Sequence, residues 1–250
     1  MLAADPKVGY SPSAVNLAKA IGDGPSDLAA RRRAPGRQSN VVVDTRTRGT
    51  LGCAVVVVAG VLVGWILSTV DSGRGLAQWD QALADWGSEH ATPRSTSFWK
   101  AVTQLGSAFV LIPVMSMVAL VDWRRRRDAR TIWFLAIAGI GATLLNNFIK
   151  VLVDRDRPSV VHLVDAAGQS FPSGHSAAAA SCWLAVALVA RRWSRHAGAM
   201  VIGALVVACL VAISRTMLGV HFLTDVGAGL VVGWSWCLLW AVILGIVLEE

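Results

Sequence analysis

"SRTMLGVHFLTD", Ser214–Asp225, lies between two stretches apolar enough for a bilayer interior, Ala199–Ile213 and Val226–Leu248. An arginine, a histidine and an aspartate within twelve positions have no structural use in hydrocarbon, where each charge costs free energy. The segment therefore reads as a polar turn between two membrane spans, and the rest of the chain can be read outward from it.

Of the 250 residues, 54% are hydrophobic and 16% charged, a balance found in multi-pass membrane proteins and outside the range of soluble domains. A helix needs about 20 apolar residues to cross the hydrocarbon. Four further stretches qualify: Thr50–Val70, Ala101–Val121, Thr131–Ile149 and Ser176–Ala190. Lipid offers no partners to an open backbone, so each is expected to be helical. The fold class is therefore all-α, a bundle of six transmembrane helices.

Basic residues mark the cytoplasmic ends of spans. Arg31–Arg33, Arg37, Arg46 and Arg48 precede the first span; Arg124–Arg127 and Arg130 join the second to the third; Arg191, Arg192 and Arg195 join the fourth to the fifth. With six spans all three groups fall on one side. Both termini are then cytoplasmic, and Ser214–Asp225 faces outward. Residues 1–49 are polar, rich in Pro, Gly and Arg, without the apolar core of a signal peptide. They read as a disordered cytoplasmic tail, and residues 50–250 as the membrane domain. In the outer loop Asp71–Lys100, Trp79, Ala82, Leu83 and Trp86 recur at helical spacing beside Asp80, Asp85 and Glu89. That pattern predicts a short helix lying in the interface.

The net charge of +7 does not point to nucleic acid, because its arginines sit at span ends, where topology and anionic lipid account for them. The four cysteines, Cys53, Cys182, Cys209 and Cys237, lie within spans without paired spacing. They read as small buried apolar residues, neither disulfides nor metal ligands. Of the eleven tryptophans, Trp65, Trp99, Trp123, Trp133 and Trp193 fall near the expected interfaces.

Three outward-facing stretches carry polar residues that the spans do not explain. "KVLVDRDRP" places Lys150 ahead of Arg157 and Pro158; "FPSGHS", Phe171–Ser176, precedes the fourth span; the third is the stretch quoted first. Lys150, Arg157 and Arg215 supply three cations, and phosphate is the common anion that calls for so many. The amides of Ser173, Gly174 and His175 would open a helix and point at an anion. Asp225, four residues after His221, shares its helix face and can hold one ring nitrogen, leaving the other free. Taken singly, each has a plainer reading as a snorkelling side chain, an ordinary helix start or a surface pair. None of these explains why all three stretches share one face. His90, His162 and His196 lack comparable partners and read as loop residues.

Lys150 with Arg157 and Pro158, then Pro172, Ser173, Gly174 and His175, then Ser214, Arg215, His221 and Asp225 together resemble the three-part signature of the type 2 phosphatidic acid phosphatase superfamily. The resemblance extends from about Thr50 to Leu248 and departs at no signature position. It implies metal-independent hydrolysis of a phosphate ester or diphosphate through a phosphohistidine, with no cofactor and an extracytoplasmic active site. On that resemblance His221 is the nucleophile, Asp225 orients it, and His175 protonates the leaving oxygen and then activates water. Lys150, Arg157, Ser173, Gly174 and Arg215 bind the phosphoryl oxygens. A site at the outer surface suits a phosphate on a lipid whose tail stays in the bilayer. Arginine outnumbering lysine and the Ala/Val richness point to a GC-rich bacterial genome. The candidate lipids are then a polyprenyl diphosphate such as undecaprenyl diphosphate, phosphatidylglycerophosphate and phosphatidic acid. The rival readings are a lipid phosphotransferase of the same superfamily and a non-enzymatic lipid-phosphate transporter. No oligomeric state is implied.

Overall fold

The apolar stretches fold as helices, and local chemistry sets the breaks between them. A computed structural model of the chain describes residues 45–194 and 196–246. Its helices are α1 (Thr45–Ser72), α2 (Asp80–Glu89) after a 3₁₀ turn at Gly75–Trp79, α3 (Pro93–Gln104) and α4 (Ala108–Arg126). Then come α5 (Ala129–Ala136), a π-helical turn (Ile137–Gly141), α6 (Ala142–Val153), α7 (Gly174–Ala190), α8 (Ala197–Met217) and α9 (Leu223–Ile243). There is no strand among the described residues. Five stretches, Arg46–Ser72, Pro93–Arg126, Ala129–Val153, Ala197–Met217 and Leu223–Ile243, are long and apolar enough to cross a membrane. The protein is an all-α, multi-pass membrane protein.

The remaining apolar stretch, Ser176–Ala190, lies in α7, which at 17 residues is shorter than those five. It lies at the centre of the bundle, against α9 and α8 and also α4 and α6. Its small residues let backbones approach. A Cβ on Gly229 would lie 2.6 Å from the Ser173 carbonyl oxygen, and one on Gly233 only 2.3 Å from that of Ala177, so α9 touches α7 main chain to main chain. The N-terminus of α7 is fixed by these contacts, and the site is built around it.

Several boundaries differ from the sequence-based expectation. The first helix begins at Thr45, five residues before the expected domain boundary. The chain divides into units Met1–Val42 and Val43–Glu250; the first, with nearly all of the expected tail, lies outside the described residues, as does Leu248 at the end of the sixth stretch. The expected span Ala101–Val121 is not one straight helix, because α3 and α4 are broken at Leu105–Ser107. The break is stabilised by tertiary contacts. Trp183 Nε1 donates to the Leu105 carbonyl at 2.9 Å, and Gly106 fits where a Cβ would lie 2.6 Å from Val211 Cγ1 and 3.0 Å from the His175 carbonyl. The π-helical turn is stabilised likewise, with Trp236 Nε1 donating to the Ile137 carbonyl at 2.8 Å.

The short helix exists as α2, with Trp86 and the preceding Trp79 exposed. Asp80 is buried, turned inward with Ala84 and Gly87. These three recur at i, i+4, i+7 and form the face that packs on the bundle. Among the cysteines, Cys182 and Cys237 are buried as expected, Cys209 is half-buried, and Cys53 is exposed on α1; all are free thiols.

At the far end of α7, buried Asp122 accepts from Thr131 Oγ1 at 2.6 Å and Trp193 Nε1 at 2.9 Å. Arg126 and Arg192 lie 3.6 and 3.8 Å from its carboxylate, and Arg126 donates to the Arg192 carbonyl. Two of the three arginine groups therefore meet at the end of α7 opposite Ser173–His175.

Candidate active site

Three chain turns bring the expected residues together. Lys150 lies in the last turn of α6, which ends at Asp154 in a left-handed conformation (φ 46°). The chain then runs as a loop carrying Arg155, Arg157 and Ser170 before Ser173 opens α7. The third turn joins α8 to α9. Gly219, at φ 73°, sits where a Cβ would be 2.9 Å from the Val161 carbonyl, so the turn lies against the loop and delivers His221 to it.

His221 is 2% exposed. Its Nε2 lies 3.3 Å from Arg157 Nη1. Its Nδ1 lies 3.6 Å from Asp225 Oδ2 and 3.5 Å from Ser170 Oγ. The first of these is too long for a direct hydrogen bond. Ser170 sits between the two, donating to Asp225 Oδ2. Burial pushes the His221 ring down to about 4; Asp225 pulls it up, and Arg215 and Arg157 push it further down. At neutral pH the ring is therefore uncharged. With Nδ1 turned to Ser170 and Asp225, the lone pair falls on Nε2, facing Arg157.

The cations gather on that side. Arg157 Nη1 donates to the Val220 carbonyl at 2.7 Å, while Nε and Nη2 donate to the Gly168 and Ala167 carbonyls, both at 2.9 Å. Burial lowers its affinity for its proton against the pull of Asp225, but a guanidinium stays charged. Lys150 Nζ donates to the Gln169 carbonyl. Arg215, 5% exposed, donates from Nη1 to Thr103 Oγ1 at 3.1 Å, and its Nε has no partner. The charges of Arg215, His221 and Arg157 all bear on His175. The Ser173 amide donates to the Asp225 carbonyl at 3.0 Å and anchors the start of α7 to α9. All eight expected residues therefore belong to one cluster at one end of the bundle.

Residues the sequence reading passed over complete it. Arg155 Nη1 donates to Asp225 Oδ1 at 2.6 Å, and its Nη2 to Asp80 Oδ2 at 2.8 Å. Asn146, 2% exposed, lies against Gly174 with an Oδ1 that has no partner. One helical turn before Lys150, Asn146 shares its face, and that spacing was the available signal. Among the described residues no group of three or more His, Cys, Asp or Glu side chains is arranged to hold a metal.

Residues 131–246 match the model of the PAP2 superfamily, a stretch containing all eight expected residues. These residues form a PAP2 superfamily domain. Phosphatidylglycerophosphatase B of Bacillus subtilis (strain 168) is 35% identical over 136 residues, which cover 53% of this chain and 66% of that relative, just under two thirds of its length. The crystal structure of a transmembrane PAP2 type phosphatidylglycerolphosphate phosphatase from Bacillus subtilis superposes with a TM-score of 0.66 at 29% identity, covering 73% of this chain and 93% of that one. Aquifex aeolicus LpxE shares the fold, with a TM-score of 0.52 at 23% identity over 64% of this chain and 93% of its own.

Proposed function

We propose that this PAP2 chain is a metal-independent lipid phosphatase that cleaves a lipid phosphate monoester or diphosphate through a phosphohistidine. The observation that carries the reading is the two-sided setting of His221: Nε2 toward Arg157, Nδ1 toward Ser170 and Asp225. The Nε2 lone pair attacks phosphorus as the bond to the leaving oxygen breaks, and His175 gives that oxygen its proton. His175 then takes a proton from water, whose oxygen displaces the histidine and frees inorganic phosphate. Lys150, Arg157, Arg215 and the first amides of α7 hold the phosphoryl oxygens. Phosphoryl transfer is mostly positioning and electrostatics, and fixed cations can supply the charge that a metal ion supplies elsewhere.

A lipid substrate is supported by an apolar cavity of about 630 Å³ between α4, the α5–α6 helix and α7, lined by Leu111, Met115, Gly139, Ala178 and Cys182. Ala178 lies one turn beyond His175, so a hydrocarbon chain lying there would start beside the acid. Among the candidate lipids, the names of the Bacillus relatives favour phosphatidylglycerophosphate.

Purified protein in detergent is expected to release inorganic phosphate from phosphatidylglycerophosphate at an unchanged rate in excess EDTA. Activity lost to chelator and restored by magnesium would overturn metal independence, and a phosphorylated acceptor in place of free phosphate would make the protein a transferase.

The same reading places both termini in the cytoplasm and the site outside, supported by the two arginine groups meeting at the far end of α7. In intact cells an impermeant thiol reagent should modify Gln169→Cys and spare Ser39→Cys in a cysteine-free background. The reverse pattern would invert the topology.

A further inference from the structure

The carboxylate of Asp225 is held from two sides, and only one of them belongs to the signature. Oδ2 accepts from the Phe222 amide at 2.9 Å and from Ser170 Oγ, and faces His221. Oδ1 accepts from Arg155 at 2.6 Å. Arg155 also donates to Thr224 Oγ1 at 2.7 Å and to Asp80 Oδ2 at 2.8 Å, and lies over the Phe222 ring at 4.3 Å. Asp80 in turn accepts from the Thr224 amide at 2.9 Å and from its hydroxyl at 2.6 Å. It comes from α2, outside the residues that match the family model.

We propose that Asp80 and Arg155 are positioning residues for the reaction: they fix the Asp225 carboxylate, and through it the His221 ring, and bind that carboxylate to the interfacial helix α2. The inference rests on the phosphatase reading above.

The arrangement is costly for a merely structural one. Asp80 is 3% exposed, Asp225 is fully buried and the Arg155 side chain is 17% exposed. Buried charges in such a network gain little over apolar side chains of similar volume, because desolvation offsets their attraction. What the network does supply is geometry. A carboxylate rotates about a broad torsion, and with Oδ1 unpaired nothing on that side would keep Oδ2 turned to Ser170 and His221. Arg155 also neutralises part of the Asp225 charge, while Asp80 takes part of the Arg155 charge in return. The charged or titratable groups around His221 are Asp225 from α9, Arg157 from the loop, Arg215 from α8, His175 from α7 and Lys150 from α6. Arg155 and Asp80 act on it only through Asp225.

The two residues therefore have opposite electrostatic effects. In Arg155→Gln protein more of the Asp225 charge falls on His221, which becomes easier to protonate, so the acid limb of kcat/KM moves to higher pH. In Asp80→Asn protein the amide oxygen can still accept from Thr224, but Arg155 keeps its full charge for Asp225, and the limb moves to lower pH.

The test is steady-state hydrolysis of phosphatidylglycerophosphate in mixed micelles by the full chain, from pH 3 to 8, for wild type, Arg155→Gln, Arg155→Lys and Asp80→Asn. Expected are a kcat lowered by roughly 10- to 100-fold in Arg155→Gln, as for other groups that orient a histidine from behind, with KM within about threefold. Partial recovery in Arg155→Lys and limb shifts of opposite sign complete the pattern. A loss carried by KM would make Arg155 a phosphate ligand, and limbs unmoved from wild type would reduce both residues to packing; either overturns the inference. If Arg155→Gln protein does not fold, Asp80→Asn and Arg155→Lys carry the test. A wild-type protein that releases no phosphate would sink the phosphatase reading itself, and a His221→Ala protein that does release it would sink the assignment of His221; both differ from the unmoved limbs.

Discussion

Phosphate release from phosphatidylglycerophosphate falls to background in His221→Ala protein, and no acid-labile phosphoenzyme is trapped on rapid quench. The expectation follows from where the ring sits. Nε2 is turned toward Arg157 at 3.3 Å and Nδ1 away from it, toward Asp225 and Ser170. His175 lies in the first turn of α7, where the proposed mechanism has it serve the leaving group. On the proposed mechanism alanine removes the atom that bonds to phosphorus, so the two-step route closes, and the loss in kcat should be on the order of 10⁶, as for deletion of other covalent nucleophiles. Folding should survive, since the ring is held by its neighbours more than it holds them. Label from a phosphate-labelled lipid that persists in His221→Ala protein would assign the nucleophile elsewhere, with His175 first.

Asp225→Asn should be slower by about 10⁴ in kcat with little change in KM, the size seen when an orienting carboxylate loses its charge. It differs from His221→Ala in kind, because Nε2 remains and a slow phosphoenzyme can still form. The pH dependence separates the two further. Burial holds His221 at about 4 against the upward pull of Asp225, with Arg215 and Arg157 pushing the same way as burial. Removing the Asp225 charge leaves only downward influences, so the acid limb of kcat/KM should move to lower pH while the rate falls. A limb that moves upward would show that Asp225 does not stabilise the imidazolium. The profile of kcat/KM against pH for wild type and variant decides it.

The signature residues were legible because each contribution is local. Lys150 to Arg157, Pro172 to His175 and Arg215 to Asp225 each fit within a dozen positions, and a membrane span makes any charge beside it conspicuous. The residues that were missed act across the chain. Arg155 reaches Asp225 over 70 positions and Asp80 over 75, and no spacing rule connects them. Asp80 carried no signal of its role for a physical reason. An acidic residue beside tryptophans on an amphipathic helix has its usual place in water, and only the distant partners Arg155 and Thr224 make its burial possible. The helix break at Leu105–Ser107 was invisible for a similar reason, since Trp183 and the backbone at His175 stabilise it from other helices. Asn146 alone carried a usable signal, one turn before Lys150.

The carbonyls of Ala167, Gly168 and Gln169 that engage Arg157 and Lys150 have a consequence for selectivity. The cations are not bare; the peptide dipoles of one loop solvate them in advance, as water would in an open cleft. An arriving anion must exchange those dipoles for its own oxygens, and the exchange favours a ligand with several oxygens and two charges over chloride or a carboxylate. A phosphate tethered by its lipid adds a high effective concentration to that exchange. If the proposed function holds, the loop thus sets a threshold that abundant small anions meet poorly and a membrane-borne phosphate meets readily.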